Sequence, residues 1–255
     1  MTAAFKVDKG TRPGTCEKHG AFEEQGVSYF GRPMIWHGCP ECGRARADAE
    51  LAVENEKAER ERQAKLETRL QQAGIPMRFR DRTLDSFDAE TDGQRIALRK
   101  ARQFVEDFAR HQAAGTTVVF MGAPGTGKSH LAIAIAQAVM VQTTVLYANA
   151  LDMIRMVRDT WRRDSKMSER EVLEMLGSVG LLVIDEVGVQ YGTDGEQVIM
   201  FDVINRRYRD LHPTILLSNL DRDGLRAYLG ERSFDRLREG GIVVPFDWES
   251  YRGRR

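Results

Sequence analysis

Eight consecutive residues, Gly122-Ala123-Pro124-Gly125-Thr126-Gly127-Lys128-Ser129, match the pattern G-x-x-x-x-G-K-[ST]. Glycines at this spacing let backbone N–H groups converge on phosphate oxygens. A helix that follows presents its positive end, the lysine reaches the terminal phosphates, and the hydroxyl suits a magnesium ion. The run lies between a short apolar stretch, Val118–Met121, and a helix expected to start near His130. By position His130 is counted with the nucleotide-contacting run, although its side chain reads as an ordinary helix residue. A second element ends another apolar run, Leu181-Leu182-Val183-Ile184-Asp185-Glu186. Asp185 is expected to hold magnesium, and Glu186 to act as the general base that orients and deprotonates a water attacking the terminal phosphorus of ATP. Phosphate transfer to a small molecule needs no such glutamate, so the pair favours hydrolysis.

Two further polar elements fit that chemistry. Asn219, after the apolar run Ile215–Leu217, places an amide where it can sense the terminal phosphate or the attacking water. Arg232 and Arg236 lie four apart on a short helix expected after Gly230, and a guanidinium stabilises charge on a transferring phosphoryl group, often from a neighbouring subunit. The alternative for these arginines is a solvated face on which they pair with Glu231, Asp235 and Glu239.

The three cysteines are an odd number for a disulfide framework and read better as metal ligands. Cys16 and His19 form a C-x-x-H pair and Cys39 and Cys42 a C-x-x-C pair, a set that completes a tetrahedron around zinc. His37 competes with His19 for the fourth position.

The elements that must position these groups are legible from periodicity. Unbroken apolar runs at Val118–Met121, Val145–Tyr147, Leu181–Ile184, Ile215–Leu217 and Ile242–Val244 read as strands covered on both faces. The stretches between them are long enough for helices, which predicts an α/β domain with a five-stranded parallel sheet flanked by helices. Arg95–Arg110 reads as an amphipathic helix, and Ser168 with Glu171 is a capping-box pattern for a helix stopping near Gly177. Residues 1–44 are glycine-punctuated short extended pieces, a zinc-binding module that needs its metal to fold. Residues 45–75 are a charged helix and linker ended by Gly74-Ile75-Pro76, and 76–255 are the ATPase domain.

The chain has 255 residues, with 38 basic and 38 acidic side chains. A zero net charge excludes polyanion binding through a strong global field. Residues 1–75 hold twelve of each sign and leave 26 of each for the remainder, so each part is neutral separately. No apolar run approaches the roughly 18 residues a spanning helix needs, and the first residues lack the apolar core of a secretory signal. The expected location is cytoplasmic, with no membrane contact.

From about Gly74 to Arg252 the sequence resembles the DnaC-type helicase loaders, AAA+ ATPases related to the transposition ATPase IstB. The resemblance rests on Arg102-Gln103-Phe104-Val105-Glu106, on the loop and acidic strings above, and on Val187-Gly188-Val189-Gln190. It rests further on Leu229-Gly230-Glu231-Arg232 with Asp235-Arg236, and on Asp247-Trp248-Glu249-Ser250-Tyr251-Arg252. It implies ATP-dependent self-association, a trans-acting arginine at Arg236 with Arg232 next, and loading of a hexameric replicative helicase. It also implies single-stranded DNA contact by a helical insertion, here Asp152–Lys166. Arg155, Arg158, Arg162, Arg163 and Lys166 outnumber the acids there by two, and Trp161 among them can stack a base, unless it packs in the core against Leu151, Ile154 and Val157. The zinc motif departs from the best-known loader, so helicase docking by residues 1–73 is an inference from position. Ten residues follow Pro245, too few for the helical lid of most AAA+ proteins and without a clear second sensor arginine. Competing readings are an IstB-like transposition ATPase and a nucleotide-gated adaptor.

Overall fold

Strands that are apolar on both faces need a layer of helices on each side, and the computed structural model supplies both layers. It describes residues 7–189 and 193–252; Gln190 lies outside them. The chain divides into two compact units, residues 1–66 and 67–255.

In the first unit, β1 (Val7–Cys16) and β2 (Gly20–Tyr29) form a ten-residue antiparallel hairpin, joined by the short β3 (Ile35–Trp36). The pairing is more regular than the short extended pieces expected. An ion pair and a cation over an indole tie its strands together. Glu24, 8% exposed, bonds Arg12 at 2.7 Å and the backbone N–H of Gly38 at 2.9 Å, while the Arg12 guanidinium lies 4.2 Å from the Trp36 ring. Helix α1 (Pro40–Gln72) runs 33 residues across the division, starting five residues earlier than composition suggests because Cys39-Pro40 opens it.

In the second unit β4 (Thr117–Gly122), β5 (Val145–Asn149), β6 (Leu181–Val187), β7 (Thr214–Ser218) and β8 (Ile242–Phe246) build the expected parallel sheet. The order is β5-β6-β7-β4-β8. Alternate residues of each strand enter two separate cores. Val118, Phe120, Val183, Ile215 and Leu217 pack beneath α2 (Asp92–Glu106), α3 (Phe108–Ala113) and α4 (Lys128–Val139). Val119, Leu182, Ile184 and Leu216 meet α5 (Ala150–Asp159), α6 (Glu169–Ser178), α7 (Asp194–Arg209), α8 (Arg222–Leu229) and α9 (Glu231–Arg238). The single helix expected over Arg95–Arg110 is two, broken at Asp107. The Ser168–Glu171 capping box forms and opens α6.

The edge strand β5 is covered where Ala73 accepts a 2.7 Å hydrogen bond from the Tyr147 backbone N–H. Leu70, Ala73 and Ile75, each no more than 3% exposed, anchor that segment in the core.

Arg207 on α7 is 1% exposed and spends its donors on main-chain carbonyls of Leu176, Gly177, Val179 and Pro213 and on the Thr214 hydroxyl. It satisfies the end of α6 and the entrance to β7 together, so its loss leaves several buried acceptors unpaired. Arg207→Met is expected to destabilise the protein by about 3 kcal/mol, read as a lowered midpoint in urea melts.

Candidate functional site

In a parallel sheet, ligands are held at the carboxyl ends of the strands, where successive connections diverge to opposite faces. Here that place is the end of β4 beside β7, because β4 continues into α4 on one face and β7 into α8 on the other. The loop Gly122–Ser129 lies there. Gly127 caps α4 with φ +94°, and a Cβ on it would stand 2.7 Å from the Phe87 ring; a Cβ on Gly122 would collide with the Phe246 carbonyl. Both positions therefore demand glycine.

The crevice over this loop has a volume of about 420 Å³ and is lined by Pro124, Gly125, Gly127, Lys128, Ser129, His130, Asp185, Glu186 and Asn219. Lys128, 7% exposed, donates to the carbonyls of Gly122 and Ala123 at 2.7 and 2.8 Å. Burial pushes its ammonium down to about 8, against the attraction of Asp185. Ser129 Oγ donates to Asp185 Oδ2 at 2.8 Å. Two oxygen ligands that meet beside a glycine-rich loop fit a hard divalent cation such as magnesium. Glu186 stands one residue farther along with φ +58°, at an irregularity in the β6–β7 pairing. Ser218 Oγ closes that irregularity by donating to the Val187 carbonyl at 2.7 Å, and Asn219 follows it into the crevice.

Sequence reasoning missed several groups here. Asn149, the residue that caps α5, donates through its amide to Glu186, and Tyr147 donates to Asp185. Both lie in an apolar strand whose pattern signals packing only, although a capping asparagine before α5 was readable. The crevice is walled by Phe87 and by the C-terminal residues Tyr251 and Arg252. Tyr251 N–H donates to the Gly125 carbonyl at 2.9 Å, and Trp248 Nε1 to that of Thr126 at 3.0 Å. Arg252 therefore stands in the crevice, although the sequence offers no clear second sensor arginine. His130, counted with the loop, turns its Nε2 to the Thr83 carbonyl at 2.9 Å and its ring edge to Phe87, holding the 83–87 wall.

Arg232 and Arg236 do not line this crevice. The acids offered as their partners bond elsewhere, Glu231 to Arg226, Asp235 to Arg238 and Glu239 to Tyr208. Arg236 lies 4.8 Å from the Phe201 ring and 5.8 Å from that of Tyr208, with a buried Nη1 that has no hydrogen-bond partner. Arg232 is exposed.

The expected helical insertion is helical only to Asp159; turns carry the chain on to Ser168. Trp161 is not a core residue. It is 61% exposed, its Nε1 tied to Glu169 at 2.6 Å, while Ile154 and Val157 are buried without it. Arg155 pairs with Asp152, Arg158 with Glu196 and Arg162 with Asp164, and Arg163 and Lys166 are exposed.

In the first unit Cys16 ends β1, His19 occupies the hairpin turn, and Cys39 and Cys42 flank the start of α1. Their ligand atoms lie within 4.8 Å of one another, and His37 is outside the group. Ligand bonds of about 2.3 Å to sulfur and about 2.05 Å to nitrogen, at tetrahedral angles, separate such atoms by roughly 3.6 to 3.8 Å. The observed separations are 3.5 Å for Cys16 to Cys42, and 3.6, 3.4 and 3.4 Å from His19 Nδ1 to Cys16, Cys39 and Cys42. Glu41 stands 3.6 Å from His19 Nε2, on the side that orients a ligating imidazole. The backbone N–H groups of Lys18 and His19 pull the Cys16 thiol down to about 6, while its hydrogen bond to Cys16 pushes Cys42 up to about 11. The first thiolate thus opposes a second, a conflict that a divalent cation relieves.

The sequence profile of the IstB-like ATP-binding proteins matches residues 45–255. The chain belongs to this family. The match starts within α1, so more of the chain is IstB-like than the part from Gly74 whose motifs first suggested it. The replicative helicase loader DnaC of Escherichia coli (strain K12) is 38% identical over 206 residues, which span 80% of this chain and 82% of that one. The loader of the same name from Buchnera aphidicola subsp. Acyrthosiphon pisum (strain APS) is 35% identical over 211 residues, 82% of each. The crystal structure of a DnaC helicase loader superposes with a TM-score of 0.60 at 23% identity, covering 67% of this IstB-like chain and 99% of that one, a likeness of fold. Among the described residues no helix is long and apolar enough to cross a membrane.

The depressed Lys128 gives the crevice a pH signature. An unfolded lysine holds its proton to its ordinary value of 10.5 and the folded one only to about 8, so between them the unfolded state binds more protons and stability rises with pH. Measured without nucleotide, this rise is expected in urea melts from pH 8 to 10.5 and is expected to vanish in Lys128→Met.

Proposed function

We propose that the chain is an ATP-hydrolysing loader of a hexameric replicative DNA helicase. The observation that carries the reading is the convergence of Lys128, Ser129, Asp185, Glu186 and Asn219 on one crevice, in a chain 38% identical to a named loader over four-fifths of its length. Lys128 exchanges its two carbonyl partners for the terminal phosphates of ATP, while the backbone of Gly122 to Ser129 and His130 cradles the rest. Ser129 and Asp185 hold a magnesium ion, which supplies charge neutralisation of the phosphates. Glu186 takes the proton of the attacking water, held by Asn149 until then, and Asn219 orients that water. Arg236, placed away from its own crevice and stacked on Phe201, completes the site of a neighbouring copy, with Arg232 beside it. Hydrolysis thereby depends on self-association.

The exposed Trp161, with Arg155, Arg158, Arg162 and Arg163 around it, offers a stacking ring among cations, an arrangement suited to single-stranded DNA. Because three of those arginines already pair with acids, a single copy binds weakly, and several aligned copies bind through many phosphates. Residues 1–44, with Cys16, His19, Cys39 and Cys42 on zinc, form the module that meets the helicase; 45–75 link it to the ATPase domain, 76–255.

Glu186→Gln is expected to retain ATP affinity within about twofold, to lower kcat by about a hundredfold or more, and to trap ATP-bound oligomers on single-stranded DNA. Wild-type turnover in that variant sinks the assignment. For the N-terminal unit, metal analysis of the full chain should find one zinc ion, lost with Cys39→Ser/Cys42→Ser. Capture of the full chain by the host replicative helicase should fall in parallel. Equal capture with and without the metal overturns the docking role.

A further inference from the structure

A carboxylate that serves a metal ion works best when its own orientation is set in advance by neighbouring donors. Asp185 is held at both oxygens. Its Oδ1 accepts the Glu186 backbone N–H at 2.7 Å, and its Oδ2 accepts Ser129 Oγ at 2.8 Å together with the phenol of Tyr147. Strand register explains why Tyr147 reaches it. Tyr147 pairs with Val183 across the parallel ladder, two residues before Asp185 and on the same face of the sheet. A ring at that position extends toward Asp185, whereas an aliphatic residue, the ordinary choice for a run such as Val145-Leu146-Tyr147, would fill the space and offer no donor.

The backbone under the ring is fixed as well. The Tyr147 N–H is bonded to the Ala73 carbonyl, so β5 is held by β6 on one side and by the segment after α1 on the other. From this fixed position the phenol meets Asp185 Oδ2. Packing alone does not call for a hydroxyl on this oxygen.

We propose that Tyr147 is a positioning residue for the divalent ion, fixing the Asp185 carboxylate with Oδ2 toward Ser129. The inference rests on the reading of Ser129 and Asp185 as the groups that hold the ion. Tyr147 is not among the residues that line the crevice; it acts through Asp185, and its removal costs metal affinity before anything else.

The test uses the full chain and Mn²⁺ as the probe, with free Mn²⁺ followed by electron paramagnetic resonance in the presence of ADP. Tyr147→Phe is expected to weaken Mn²⁺ binding by about tenfold, while ADP affinity in chelator stays within about twofold of wild type. The Mg²⁺ concentration for half-maximal ATP hydrolysis should rise in parallel. Tyr147→Leu, which keeps apolar contact without the hydroxyl, should show the same shift and replaces the phenylalanine variant if that one fails to fold. A merely structural role would lower the melting temperature and leave Mn²⁺ affinity unchanged, which overturns the proposal. Asp185→Asn separates the two levels. If it weakens Mn²⁺ binding and the Tyr147 variants do not, the role of Tyr147 alone is overturned. If it too has no effect, the assignment of Asp185 falls, and the role of Tyr147 with it.

Discussion

The hydrogen bond from Ser129 to Asp185 joins two groups 56 residues apart, and the rest of the ATP-binding unit can be understood as what makes it possible. Ser129 is in the first turn of α4, so the loop must turn sharply at the end of β4, which Gly122 and Gly127 permit by their left-handed backbone. Asp185 must reach the same point from β6, across the intervening β7. Parallel pairing brings the carboxyl ends of all three strands to one edge of the sheet, and burial of both faces fixes their register, because a slip of one residue would exchange the two cores. The strained backbone at Glu186 then sets the second carboxylate apart from the first.

The walls of the crevice come from places far apart in the chain. The segment after β8 returns across the loop, where Trp248 and Tyr251 bond the carbonyls of Thr126 and Gly125. Phe87 meets the Tyr251 ring edge-on at 6.1 Å and His130 at 5.3 Å, joining three distant segments at one wall. The N-terminal unit is stabilised differently. Its small sheet carries an ion pair whose arginine is half exposed and a cation over an indole rather than a broad apolar core, and its Cys16-His19-Cys39-Cys42 cluster is compatible with a bound metal ion.

The balanced charge of the chain acquires a local explanation from these contacts. Most arginines of residues 152–166 are already compensated by acids within reach, so the segment has little field of its own, while Arg163, Lys166 and Trp161 are each exposed. Zero net charge is an average over surfaces that differ.

Much of this protein was determined by local sequence. Five apolar runs specified the strands, because strands buried on both faces need no polar alternation; the glycine-rich loop and the acidic pair identified themselves, because their chemistry requires particular residue types at short spacing. The capping box of α6 and the four clustered Cys/His positions are legible for the same reason, apart from the choice of His19 over His37, which spatial proximity made. What tertiary structure decided is everything that depends on long-range approach. The phenol of Tyr147 and the amide of Asn149 on the two acids, the return of Arg252 to the crevice, the stacking of Arg236 on Phe201 and the exposure of Trp161 belong to this class. So does Arg207, a charged residue that closes the carbonyls of two other elements. A side chain's partner across the fold is set by strand order and register, and no local pattern encodes either.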